Sequence, residues 1–289
     1  FIFLQLVNYI YKINMEKKST VNISDNITAR TNTNTTTLTT NESVVTGNSV
    51  SSNQLQNDTT IIDNFISYCN NKELQQAYDL LTQECKTQMY TTLEVFEQAY
   101  YNDVFAGKSK NCSIENWVNN TYKVKIMDDI LATGRSSNGY SKQDYMTIVK
   151  VDDGYKLNIN NYIGYTSINE TTQQDNISMN VVSKNTYMDY EQYTIRVTNN
   201  TEGTILLDSR TNAKTLYLQD SKEVQYSSYS HELTEPMLTV SSGQTKEVTI
   251  KFYSSYVSTK KIEYIVFSNL ILSLYDGQLA EKIEFKASV

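Results

Sequence analysis

At 289 residues the chain has room for two ordinary domains, with 39% hydrophobic residues, one proline, one histidine and 23 tyrosines. The formal charge is −7 and the basic residues form no extended run, which argues against nucleic acid as a partner, because phosphate-backbone binding needs clustered cations. Cys69, Cys85 and Cys112 show no CxxC spacing, which argues against zinc and against a dense disulfide framework.

Residues 1–14, FIFLQLVNYIYKIN, are mostly apolar but shorter than the roughly 20 residues that span a bilayer. One reading makes them the end of an N-terminal membrane anchor or signal, which places the chain outside the cytoplasm. The other starts translation at Met15 and leaves the protein cytoplasmic; Lys12, Lys17 and Lys18 weigh in its favour, since positive charge prefers the cytoplasmic side. Residues 15–58 are polar, with no aromatic between Tyr11 and Phe65. Such a stretch has little apolar surface to offset the entropy of ordering a backbone, so it reads as a disordered Thr/Asn-rich tether.

From residue 59 the pattern changes. Ile61, Ile62, Phe65, Ile66 and Cys69 fall on one helical face, with Thr59 or Thr60 as N-cap. Asn70-Asn71 interrupts the pattern, and Leu74, Ala77, Tyr78 and Leu81 make a second stripe, capped by Asn70 with Glu73. Thr91 with Glu94 forms a capping box for a third helix, whose inward face is Leu93, Phe96, Tyr100 and Val104 and whose stop is Gly107. Strands follow: Trp117, Tyr122, Val124 and Ile126 lie largely on one parity, and 145–151 and 155–159 flank Asp153-Gly154, a hairpin signal. Helices first and an antiparallel meander afterwards predict an α+β domain over 59–168.

The runs IIDNFISYCNNKELQQAYDLLTQECK and TLEVFEQAYYNDVF, followed by strands, resemble the nuclear transport factor two-like family. The resemblance covers a little over a third of the chain and bears on fold more than on function. It implies three helices packed on a curved sheet as a cone, with Phe96, Tyr100 and Trp117 lining its interior, as plain core or as walls for a small apolar or peptide ligand. Enzymes of that family place an Asp with a Tyr, or a His–Asp pair, inside the cone. The sole histidine, His231 in SYSHELTEP, lies in the C-terminal part and reads as an exposed loop residue. Arg135, the single arginine of 59–168, sits in the loop GRSSNGY. An Asp–Tyr pairing remains open, since Asp103, Asp128, Asp129 and Asp144 coexist with Tyr100, Tyr101, Tyr122 and Tyr145; of these, Asp128-Asp129 reads as a solvated turn. The cysteines read as buried thiols, as one disulfide between Cys69 and Cys85, or as a nucleophile that no histidine in that domain could activate.

The run TSINETTQQDN after Gly164 reads as a linker, with the domain boundary between 168 and 169. From Ile177 onwards eight or nine short alternating segments, separated by turn signals such as Asn199-Asn200, Ser242-Gly243 and Asp276-Gly277, predict an all-β sandwich over 169–289. The segment SSGQTKEVTIKFY resembles immunoglobulin-like domains of bacterial surface proteins. No P-loop, GxSxG, HExxH or dinucleotide fingerprint occurs, so no cofactor, metal or catalytic residue is expected. The composition suits a low-GC Gram-positive bacterium. The expected role is a non-catalytic, membrane-tethered interaction module of the cell envelope, with an envelope protein or wall component as partner. The alternative is a small-molecule-binding or enzymatic cone with an accessory sandwich.

Overall fold

The computed structural model describes residues 27–32, 35–40, 42–43, 45–46, 48–129, 141–152, 154–209, 214–275 and 278–289. The chain is α+β, with sheets that are mostly antiparallel. Two separate hydrophobic cores organise it, one drawing on residues 55–187 and the other on residues 177–287.

The first core lies between helices and a six-stranded sheet. Helix α1 (Ser52–Asn70) buries Leu55, Ile62, Phe65, Ile66 and Cys69 on one face, the geometry that the apolar spacing dictates. It starts seven residues before the Thr59 cap expected from sequence, with Ser51 Oγ accepting from the Gln54 amide at 3.2 Å. Replacing Ser51 with alanine should cost about 1 kcal/mol, visible as a lower urea midpoint at unchanged slope; an unmoved midpoint would show that the cap contributes nothing. At the other end Asn70 caps no helix. Its amide instead bonds both the N–H and the C=O of Lys110, each at 2.9 Å, tying α1 to the first long strand.

Helix α2 (Leu74–Asp79) follows, then α3 (Gln83–Met89), which the sequence reading left out. Helix α4 is composite: Leu93–Phe96 is α-helical, Glu97–Tyr101 widens into a π-turn, and Asn102–Val104 returns to α. Within the widened turn the consecutive Tyr100 and Tyr101 are both buried. Gly107, at φ +70°, ends it as expected.

The sheet runs β1 (Ile27–Asn32), β2 (Thr35–Thr40), β3 (Lys110–Val118), β4 (Thr121–Asp128), β5 (Ser141–Val151) and β6 (Gly154–Asn158) in that spatial order. All pairs are antiparallel except β2 with β3, where Thr39 and Thr40 face Ile114 and Glu115. Part of the stretch read as a disordered tether is therefore structured: β1, β2 and the first turns of α1 lie within 15–58. Threonine's branched side chain favours strand conformation, and Ser43, buried just after β2, donates to the Trp117 carbonyl. Residues 1–14 lie outside the described residues. Among the described residues, no helix is long and apolar enough to cross a membrane.

The second core is held by two sheets. One has the order β14 (Thr245–Phe252), β9 (Glu191–Asn199), β8 (Ile177–Tyr187), β7 (Tyr162–Gln174). The other runs β12 (Gln225–Ser227), β11 (Leu216–Asp220), β15 (Ile262–Tyr275), β10 (Ile205–Leu206), β13 (Thr239–Val240), with β16 (Gln278–Ser288) on β15. Tyr193, Ile195, Ile250 and Phe252 from the first sheet share this core with Leu218, Ile265, Phe267 and Phe285 from the second. Two segments that the sequence separates, IEYIVFS and LILSLY, are one strand, β15. A register shift between Phe267 and Leu270 breaks the alternation and accounts for the apparent gap. A short helix α5 (Glu235–Leu238) precedes β13. His231 is exposed, as expected, in a single 3-10 turn at Ser230–Glu232.

The run read as a linker is strand β7, and the boundary placed between 168 and 169 falls inside it. Asp175 and Asn176, at φ +48° and +61°, make the tight turn that reverses the chain into β8, a mirror-image hairpin turn that Asp and Asn tolerate. Strand β8 then serves both cores: Ile177, Met179 and Val181 lie in the second, and Tyr187 in the first.

Candidate functional site

The polar centre of the first core is Asp144, the residue of β5 that sequence offered as one of four acidic candidates. It is 1% exposed. Its Oδ2 accepts the Tyr100 hydroxyl at 2.9 Å and the Asn160 amide at 3.0 Å, and its Oδ1 accepts the Asn161 amide at 2.9 Å. Asn160 and Asn161 both have left-handed backbone, at φ +57° and +66°, so two successive N–H groups point at one carboxyl. Burial raises the Asp144 pKa, opposed by the two amides, Tyr100 and Lys142. Burial also raises Tyr100 well above the ordinary phenol value, with the Asp144 charge acting in the same direction.

Aromatic rings surround this pair. Phe96 stacks on Tyr100 at 5.8 Å between centroids and meets Tyr90 edge-on at 5.6 Å; Phe65 touches both Phe96 and Tyr100, at 6.2 and 5.9 Å. Phe96 and Tyr100 are thus brought together, each fully buried. Trp117 is not with them. It sits half-buried on the opposite face of the sheet, against Tyr145 at 5.2 Å and under Lys123. The strand period explains the correction: Cys112 and Ile114 of β3 point to the helices, so residues of odd number point away.

The other acidic candidates have separate partners. Asp103 pairs with Lys142 at 2.8 Å, and Asp128 pairs with Lys110 at 2.5 Å across β3 and β4. Asp128 and its buried neighbour Asp129 therefore do not form the solvated turn read from sequence. Tyr122 donates to Asp58 of α1 at 2.7 Å. Arg135 lies outside the described residues.

One group near Asp144, Tyr90, was missed. Tyr90 follows the unpredicted helix α3, and its buried hydroxyl makes no hydrogen bond of good geometry, with the Asn160 side chain as a marginal partner. Burial pushes its pKa up, with Cys85 and Asp144 adding and the Asn160 side chain opposing. Cys85 itself is raised to about 12, chiefly by burial, which makes it a poor nucleophile. All three cysteines are free and buried, so no Cys69–Cys85 bridge forms.

Chemically the arrangement is a clasp. Asp144 holds α4 through Tyr100 and the turn after β6 through two amides. A carboxyl with three donors already on it, walled by rings, has three of its roughly four accepting positions occupied. Among the described residues, no group of three or more His, Cys, Asp or Glu side chains is placed to hold a metal ion. No family model, curated protein or solved structure matches this chain.

Proposed function

We propose that the protein is a non-catalytic interaction module of a bacterial cell envelope, tethered through its N-terminal segment. In this reading the helices and six-stranded sheet are a nuclear transport factor two-like unit, and the two sheets after it an immunoglobulin-like sandwich. The observation that carries the proposal is the filled interior: Phe65, Phe96, Tyr90 and Tyr100 meet ring to ring where an enzyme of that family keeps a substrate cavity. An envelope protein or a wall component is the fitting partner, and no cofactor is required.

The Tyr90 hydroxyl, buried without a well-formed hydrogen bond, favours a second reading, a small polar molecule held beside the Tyr100–Asp144 pair, since buried polar groups rarely go poorly paired. One titration separates the two. Adding 2-naphthol to isotope-labelled protein should leave the methyl signals of Val124, Ile126 and Leu157 unmoved, because these side chains lie in the filled core. Saturable shifts of those three signals would overturn the filled-interior reading and establish the cavity. Location has its own test: residues 27–289, expressed in a Gram-positive host, should leave the membrane fraction that retains the full chain. Continued sedimentation of the shortened chain with membranes would refute the tether.

A further inference from the structure

Three of the seven exposed large apolar side chains among the described residues, Val224 (46% exposed), Tyr253 (51%) and Val257 (52%), gather at one groove of about 400 Å³. The groove opens where two segments part. Tyr253 N–H donates to the Ser227 carbonyl at 2.9 Å; on one side of that bond run Val224 and Tyr226, on the other Ser255 and Val257. Concentrated apolar exposure of this kind marks an interaction site, where scattered single residues would not.

The charges of the groove choose its occupant. Asp220, its acidic wall residue, is engaged internally, accepting the Lys222 and Val224 amides and the Tyr226 hydroxyl, each at 2.9 Å. Lys260 is likewise engaged, donating to Ser254 Oγ at 2.5 Å and to the Ser255 carbonyl at 2.7 Å. Lys222 and Lys261, both exposed at the rim, have no salt-bridge partner among the described residues. On a chain of net charge −7 this is a cationic rim around an apolar floor. A cationic segment would be repelled, and a bare phosphate polymer would leave both valines uncovered.

We infer that this groove docks an extended peptide segment of a partner protein, one that carries carboxylates on either side of an apolar side chain. The apolar side chain covers Val224, Tyr253 and Val257 while the carboxylates meet Lys222 and Lys261. The inference rests on the interaction-module reading, yet the groove lies in the second core's surface and the titration above reports on the first, so either can fail alone.

The test is fluorescence anisotropy of the full chain with a labelled peptide of alternating Glu and Val, beside a control of alternating Lys and Val. The Glu peptide should bind, more weakly at higher salt, and the Lys peptide should not. Lys222→Glu with Lys261→Glu should weaken binding about tenfold or more, as should Val257→Asp, with circular dichroism unchanged because all three side chains are exposed. No anisotropy change up to about 1 mM peptide, equal binding of the Lys peptide, or full affinity in both variants would each overturn the inference.

Discussion

Replacing Phe96 with alanine should lower the unfolding free energy by about 3–5 kcal/mol, the range for removing a large ring from a packed core. The ring is 0% exposed and meets four others: Phe65 at 6.2 Å, Tyr78 at 5.9 Å, Tyr90 at 5.6 Å and Tyr100 at 5.8 Å. Those partners come from α1, α2, the segment after α3, and α4. The substitution therefore opens a void that no single element can close, and the cavity adds to the lost transfer free energy. Urea unfolding followed by the fluorescence of Trp117, the chain's one tryptophan, reads the effect, since that side chain is borne on the sheet that closes this core. Val95→Ala, on the exposed side of α4, serves as control and should change stability by less than about 0.5 kcal/mol. A Phe96→Ala loss below about 1 kcal/mol would mean the rings are loosely held, and the ligand-cavity reading would gain.

Asp144→Ala should cost about 3–5 kcal/mol by a different route. It strands three donors, the Tyr100 hydroxyl and the Asn160 and Asn161 amides, and each buried unsatisfied group costs about 1–3 kcal/mol. Asp144→Asn should fall between wild type and alanine, because its one carbonyl oxygen can replace only one carboxyl oxygen. Its amide nitrogen must then face a backbone N–H. The pH dependence has a definite sign. Burial holds the folded pKa of Asp144 above the ordinary carboxylate value, so the native state keeps this proton to higher pH than the unfolded chain does. This group's contribution to stability is then greatest below the unfolded pKa and is lost as pH rises through the folded one. The penalty of Asp144→Asn should accordingly shrink as pH is raised from about 4, measured by urea midpoints of both proteins at each pH. A penalty that grows with pH would place the folded pKa below the ordinary carboxylate value and make the amides, not burial, the dominant influence.

Much of the site's framework was legible in the chain. Ile62, Phe65, Ile66 and Cys69 face inward because helical period alone sets which residues share a face. Phe96, Tyr100 and Val104 are buried for the same reason. The acidic partner was less legible. Asp144 looked like its three rivals, and what singled it out was a turn at Asn160-Asn161 that aims two amides at it from sixteen and seventeen residues away. Tyr90 had no periodic neighbours to mark it. Trp117 was misplaced because its strand carries aromatic and apolar residues on both faces, which leaves parity ambiguous until the register is known.

The sequence by itself determined the two helical stripes, the third helix with its Gly107 stop, and most of the C-terminal strands, since each follows from residues only a few positions apart. The tertiary structure alone decided the rest. TSINETTQQDN has no apolar alternation, and it becomes β7 because β8 offers it a ladder of backbone partners. The first turns of α1 are polar, and Asp58 is buried there because Tyr122, sixty-four residues on, donates to it. Val224, Tyr253 and Val257, which flank or follow strands, form one groove only after distant segments have been brought together. Local periodicity is written in the chain; pairing between distant segments depends on which surfaces folding brings together.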